Sequence, residues 1–278
     1  MPIVLLVACS LIGCDDSNDS SATTAQHRNT VLLLAVTTST NDSGLLDVLI
    51  PVFEQRTGAR VDTLATGTGK ALKLGENGDV DVVLVHAREA EDRFMQAGHG
   101  VRHEHVMYNT FELLGPRDDP AQVSGLNMTE ALQQIAAGEH PFISRGDDSG
   151  THKQELLLWR FGNKAANTPP QWDRYIESGQ GQGATLIMAS QMRAYVLTDL
   201  GTYLKFKGKI DLQPMRLTGK HMRNPYSIMA VNPDKSDRIN HELASTFIDF
   251  VISPDAQRLI RDFTIAGAPL FVPLRLDP

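Results

Sequence analysis

Four segments of the chain combine hydroxylated residues with glycine where a strand is expected to give way to a helix. They are Thr37-Thr38-Ser39-Thr40, Gly67-Thr68-Gly69, Ser144 to Thr151, and Gly181-Gln182-Gly183-Ala184-Thr185. Taken singly, each reads as a helix cap, because Ser and Thr oxygens accept hydrogen bonds from the free N–H groups of a first turn. Taken together, they form a set of anion donors. Helix N-termini offer unsatisfied N–H groups and the positive end of the macrodipole, and the hydroxyls add donors of their own. Arg145 brings full charge and a forked pair of N–H donors to the third segment. This chemistry suits the wrapping of a small anion from two sides.

Competing chemistries fail on spacing. Gly67-Thr68-Gly69-Lys70 stops short of a P-loop, since Ala71 stands where the metal-binding hydroxyl belongs and no glycine lies five residues before Gly69. Gly179, Gly181 and Gly183 give GxGxG rather than GxGxxG, and no strand is expected to lead into them. Gly146-Asp147-Asp148-Ser149-Gly150 misses the nucleophile elbow by one residue. Asp147 and Asp148 read as helix-start residues that complement the dipole rather than as an acid/base pair. His103-Glu104-His105 reads as an exposed strand edge, so no cationic metal and no cofactor is expected. An enzyme would need a reactive group facing the cleft, and Asp147, Asp148 and His152 are the candidates, each better explained by a helix start. The expectation is a binding protein.

The elements that position these segments follow from hydropathy. Val31 to Val36 is an unbroken apolar run, short enough for a strand buried on both faces. Leu45/Leu46, Leu49/Ile50 and Val52/Phe53, closed by Gly58, make a helix interrupted by Pro51. Strands are expected at Ala59 to Leu64 and Val80 to Val85, with helices from Thr68 and from Ala87 to Ala97. This βαβαβ order predicts a mostly parallel sheet covered by helices on both faces. Phe111 to Pro116 reads as a strand leaving this unit. A second series follows: helix Thr129 to Ala137, strand Phe142 to Ser144, and a helix beginning near Ser149 with Thr151 and Gln154 at capping-box spacing. Next come a helix opened by Thr168-Pro169 with Trp172, Tyr175 and Ile176 on its face, a helix through Leu186, strand Ala194 to Leu197 and helix Asp199 to Lys205. Pro225 to Val231 reads as a strand, and two amphipathic helices close the chain, the second capped by Ser253-Pro254.

The 278 residues reach the range of about 250–300 where one core stops growing, so two lobes are expected. The division is 30–110 plus 226–278 for lobe 1 and 111–225 for lobe 2, since two crossings return both termini to one body. With 26 basic and 33 acidic side chains the net charge is −7, which argues against nucleic acid. Both cysteines, Cys9 and Cys14, fall near the start of the chain. The apolar run Ile3 to Gly13 is about half the ~20 residues that span a bilayer. Residues 1–14 therefore read as a signal segment and residues 15–29 as a solvated tether. Leu11-Ile12-Gly13-Cys14 resembles the bacterial lipobox, which implies lipidation at Cys14 and a periplasmic or cell-surface location.

Thr37 to Thr40 with Ser43-Gly44-Leu45-Leu46, Gly67-Thr68-Gly69, Leu74 to Asp81, Ser144 to His152, Gly181 to Ser190 and Asn224-Pro225-Tyr226 occur in unbroken order between Val31 and Pro273. Together they resemble the substrate-binding proteins of bacterial tungstate ABC importers. The resemblance implies a two-lobed α/β periplasmic-binding-protein fold of the second type with two hinge crossovers. It implies a tetrahedral oxyanion, tungstate or molybdate, in the cleft, and a membrane permease with its ATPase as partners of a monomeric receptor. By position, the anion donors would be Thr37, Thr38, Ser39 and Thr68 from lobe 1, and Arg145, Ser149, Thr151 and Thr185 from lobe 2. Val36 stands where the family usually has threonine. Sulfate or phosphate receptors are the nearest alternative, and an enzyme or a regulator's sensing domain on the same fold stands further off.

Overall fold

The computed structural model describes residues 30–162, 172–219 and 223–276. Cys9, Cys14, the tether and the Thr168-Pro169 helix start lie outside the described residues.

The first third alternates as expected: β1 (Val31–Thr37), α1 (Thr38–Ser43), α2 (Leu46–Thr57), β2 (Arg60–Thr66), α3 (Thr68–Asn77), β3 (Val82–Val85) and α4 (Arg88–Gln96). β1 lies between β2 and β3 and runs parallel to both. Its side chains divide between two cores. Leu32, Leu34 and Val36 pack with α2 and the C-terminal helices, while Ala35 faces Ala71, Leu72 and Phe94 on α3 and α4. A sheet covered on both faces has no polar side, which is why the sequence shows an apolar run here instead of alternation. Pro51 lies inside α2, and the helix continues to Gly58, whose φ of 69° suits a residue without Cβ.

β4 (Gly100–Gly115) is a 16-residue strand that leaves this sheet and enters a second one. There follow α5 (Met128–Ala137), β5 (Phe142–Ser144), α6 (Gly150–Gly162), β6 (Tyr175–Glu177), α7 (Gln182–Gln191), β7 (Val196–Asp199), α8 (Leu200–Phe206) and β8 (Gln213–Pro214). The end of β4 pairs antiparallel with β7 and β8, and β5 pairs parallel with β6. Two further cores cover this half, one around Phe111, Phe142, Trp159 and Tyr195, the other around Leu114, Ile143, Leu186 and Val196. β9 (Arg223–Val231) then returns antiparallel along β4 and joins β3. α9 (His241–Ile252), α10 (Pro254–Asp262) and the short strands β10 (Thr264–Ile265), β11 (Ala268–Pro269) and β12 (Val272–Pro273) finish the first body. The two crossing strands meet at Asn109 and Asn224. Asn224 Nδ2 donates to Asn109 Oδ1 at 2.9 Å, and both side chains donate to the buried Tyr226 hydroxyl, at 3.3 and 3.2 Å.

Three local expectations change. Tyr175 and Ile176 belong to a strand, not a helix: Tyr175 packs with the Trp159 core and Ile176 with the opposite one, an alternation of period two. Trp172, Tyr175 and Ile176 mimic a helix face only because a short apolar run fits either period. That strand, β6, leads into the glycines at 179–183, where none was expected. At α6 the cap is Ser149, whose Oγ accepts from His152 N at 3.3 Å, so Thr151 sits inside the first turn.

Candidate functional site

Seven of the eight expected donor residues line one cleft of ≈ 360 Å³: Thr37, Thr38, Ser39 and Thr68 from one side, Arg145, Ser149 and Thr151 from the other. Each arrives at the end of a strand. Thr37 closes β1 and caps α1, its Oγ1 lying 2.6 Å from Thr40 Oγ1, which leaves Thr38 exposed to the cleft. Gly67 precedes α3 without a side chain to cap it, so the first-turn N–H groups beside Thr68 have no hydroxyl to satisfy them. Val36 is fully buried in the core behind β1, so the cleft wall begins at Thr37.

The opposite wall is a loop held by the first turn of α6. Gly146 has a φ of 60°, and a Cβ there would lie 2.6 Å from Glu177 Cβ, so the position takes only glycine without rearrangement. Asp148, also at positive φ, donates its N–H to His152 Nδ1 at 3.0 Å, and Lys153 Nζ donates to its carbonyl at 2.8 Å. Arg145 leans along this loop. Its Nη2 pairs with Asp147 Oδ2, and its Nη1 donates to Gln182 Oε1 at 3.0 Å. Its Nε is buried with no hydrogen-bond partner among the described residues. Burial alone would raise the Asp147 carboxyl, but hydrogen bonds from Ser149 and the Arg145 guanidinium outweigh it and hold that group below the usual carboxylate range.

Thr185 does not reach the cleft. It is fully buried, and its hydroxyl meets Ser178 Oγ at 2.8 Å and donates to Gly181 O at 3.2 Å, which ties the glycine loop to α7. His103 and His105 also lie elsewhere, 3.3 Å from Glu91 and 3.0 Å from Ser227 respectively, and no cluster of three metal-ligating residues occurs among the described residues.

Five cleft residues were not singled out from sequence as ligands: Thr66, His86, Gln182, Asp199 and Lys70. Gln182 is buried at the start of α7 and donates Nε2–H to Leu197 O at 2.8 Å, which fixes the oxygen it offers to Arg145. Asp199 caps α8, with both oxygens engaged by Thr202 at 3.0 and 2.7 Å. His86 follows β3, lies against the Tyr226 ring with centroids 4.7 Å apart, and places Nε2 3.3 Å from Ser39 Oγ. Burial lowers its pKa from the ordinary histidine value, against the opposing pull of Asp199 and Glu91. The sequence signal for each was a polar residue just past an apolar strand or glycine turn, the same signal that marked the threonines. A neighbouring hollow of ≈ 430 Å³, reaching Tyr226, Phe206 and Phe271, continues from the cleft through Ser39, Arg145 and Gln182.

The arrangement offers hydroxyls, helix-end N–H groups and one forked guanidinium, converging from two α/β bodies. Its carboxylates are already engaged, Asp147 by Arg145, Asp148 by Lys153 and Asp199 by Thr202.

The chain is similar to known proteins over most of its length. Residues 20–255 match the model of the PBP superfamily domain. The chain is 41% identical over 277 residues to the tungstate-binding protein TupA of Peptoclostridium acidaminophilum, covering 97% of this chain and 95% of that one. The solved structure of the tungstate-binding protein TupA from Desulfovibrio alaskensis G20 superposes with a TM-score of 0.79 at 42% identity, covering 88% of this chain and 98% of that chain. That of the tungstate ABC transporter from Geobacter sulfurreducens gives 0.75 at 48% identity, with 84% and 98% covered.

Proposed function

The chain belongs to the PBP superfamily and, within it, to the tungstate-binding proteins, and from that premise we propose that it is the extracytoplasmic substrate-binding component of an ABC importer for tungstate, with molybdate as the related cargo. The observation that carries the reading is Arg145. It lines a cleft whose other wall supplies Thr37, Thr38, Ser39 and Thr68, and its buried Nε has no hydrogen-bond partner among the described residues. A buried guanidinium N–H without an acceptor costs stability unless an acceptor arrives, and a tetrahedral oxyanion supplies four. Many dipolar donors with one firmly held cation suit a dianion that must be bound and later released. The oxyanion is cargo here, and no reaction on it is invoked.

Thr37, Thr38, Ser39, Thr68, Arg145, Ser149 and Thr151 touch the anion in this reading, and Thr185 contributes by fixing the glycine loop. The lobes comprise 30–110 with 226–278, and 111–225, a division supported by the separate cores on either side of Asn109 and Asn224. Closure bends the crossing strands near Tyr108 to Leu113 and Arg223 to Ile228, and the closed monomer docks on the permease and its ATPase. No helix among the described residues is long and apolar enough to cross a membrane. Attachment is assigned to a lipid on Cys14, on the strength of Leu11-Ile12-Gly13-Cys14.

A thermal-shift panel with tungstate, molybdate, sulfate, phosphate and chloride, followed by calorimetry, tests the function. Tungstate at about 100 Kd stabilises the chain by about 2.7 kcal/mol in the receptor reading. Folded, ligand-free protein that no oxyanion stabilises would overturn it.

A further inference from the structure

The cleft is poorly charged for the ligand proposed above. Its walls carry two cations, Lys70 and Arg145, and three carboxylates, Asp147, Asp148 and Asp199. A dianion entering this space adds two more negative charges at low dielectric, where each is felt strongly. The walls also hold His86, which can change its charge in the neutral range.

We propose, resting on the oxyanion-receptor reading, that capture of the dianion is coupled to the uptake of one proton by the His86 imidazole, a cleft-lining residue whose buried Nδ1 has no hydrogen-bond partner among the described residues. One proton leaves the solvent, one N–H bond forms on the ring, and no other bond changes.

Two geometric facts support the coupling. His86 Nε2 lies 3.3 Å from Ser39 Oγ, a hydroxyl on the first donor loop. A neutral ring can accept the Ser39 proton there. An imidazolium only donates, so Ser39 must accept from it, and the serine O–H is released to point at an anion. Gly150, on the opposite wall, sits so close that a Cβ would lie 2.7 Å from His86 Cε1, so the ring bridges both bodies of the cleft.

The charged and titratable surroundings of His86 come from every packed element. Asp199 at the end of β7 and Glu91 on α4 favour the protonated ring, as does the Asn224 side chain on β9, while burial disfavours it. Lys70 on α3 and Arg145, Asp147 and Asp148 share the ligand cleft. Arg88, Glu89 and Arg93 on α4 and Lys153 and Arg160 on α6 line a second groove that His86 also lines. The Tyr226 phenol stays neutral, since burial pushes it well above its ordinary range. On balance burial lowers the pKa of the ring, and the charge of a bound dianion acts in the opposite direction.

Calorimetric titration of the chain with sodium tungstate at micromolar concentration, in PIPES and in Bis-Tris at one pH, reads the protons exchanged per anion. The expected result is net uptake approaching one proton, with affinity falling by up to about tenfold per pH unit as pH rises between about 6 and 8. The variant His86→Gln keeps a hydrogen-bonding side chain but cannot ionise; it should bind more weakly near pH 6 and exchange no protons. His86→Asn serves in its place if the glutamine variant fails to fold. Tungstate binding by the wild type with no proton uptake, or undiminished uptake in the variant, overturns the proposal and leaves the receptor reading standing. Absence of tungstate binding at every pH overturns that reading, and this one with it.

Discussion

Gln182 fixes the position of Arg145. Its Oε1 accepts from Arg145 Nη1 at 3.0 Å while its Nε2 donates to Leu197 O at 2.8 Å, so a backbone carbonyl of the second body orients the cation of the cleft. With Asp147 on the other guanidinium nitrogen, the fork is clamped at both ends, and the buried Nε has no partner among the described residues. Preorganisation of this kind means that less rotamer freedom is lost when the anion binds.

Removing the clamp should therefore weaken binding without removing charge. Gln182→Leu is expected to lower tungstate affinity about tenfold and stability by about 1–3 kcal/mol, since Leu197 O and Arg145 Nη1 both lose a partner. Gln182→Glu should bind still more weakly, because it adds a carboxylate to the cleft. Calorimetry with chemical denaturation checks both. A glutamate variant that binds better than the leucine variant would show that orientation outweighs charge.

Arg145→Ala is expected to cost about 2–5 kcal/mol of binding, roughly thirtyfold to several thousandfold in Kd, while the fold survives. Arg145→Lys restores the charge but not the fork and should fall between. Wild-type affinity in a folded alanine variant would remove Arg145 from the site.

Glu155 sets a pH dependence of stability separate from binding. It is buried on α6 and accepts hydrogen bonds from Tyr175 at 2.8 Å and Trp159 at 3.1 Å. Burial outweighs these bonds and pushes its pKa up to about 7. The folded state then holds a proton that the unfolded state releases near pH 4.5. Its stabilising contribution is complete below that value and is lost as pH rises through about 7, a loss on the order of 3 kcal/mol. Glu155→Gln should leave the melting temperature nearly unchanged at pH 4 and raise it at pH 8. Equal shifts at both pH values would contradict this assignment.

Gly183 tests the packing behind the anion loop. A Cβ at this position would lie 2.3 Å from Phe206 Cζ. Gly183→Ala is expected to destabilise by about 1–3 kcal/mol through overpacking. Adding Phe206→Ala should recover part of that loss, and a double-mutant cycle of denaturant midpoints measures the coupling. Additive effects would mean that the loop moves aside at no cost.

Most of the expected donor set is legible in the sequence. Thr37, Thr38, Ser39, Thr68, Arg145, Ser149 and Thr151 were marked by one local rule, small donors between an apolar strand and a helix, and all of them line it. The rule failed at Thr185, which obeys it and yet turns inward, because Ser178 and the carbonyls of Gly181 and Gln180 take up its hydroxyl. A separate expectation, a helix carrying Trp172, Tyr175 and Ile176, gave way to a strand at Tyr175–Glu177.

The sequence alone determined the alternation of strands and helices, the donor loops and the choice of a guanidinium as the firmly held cation, since these rest on hydropathy and on residues adjacent in the chain. The partners that aim those donors were decided by the tertiary structure. Gln182 reaches Arg145 across 37 positions and His86 reaches Ser39 across 47. Such pairs exist only once β4 and β9 cross between the two bodies and bring the strand ends to one cleft. Hydrogen bonds of this reach depend on where the backbone has been carried, which no local periodicity encodes.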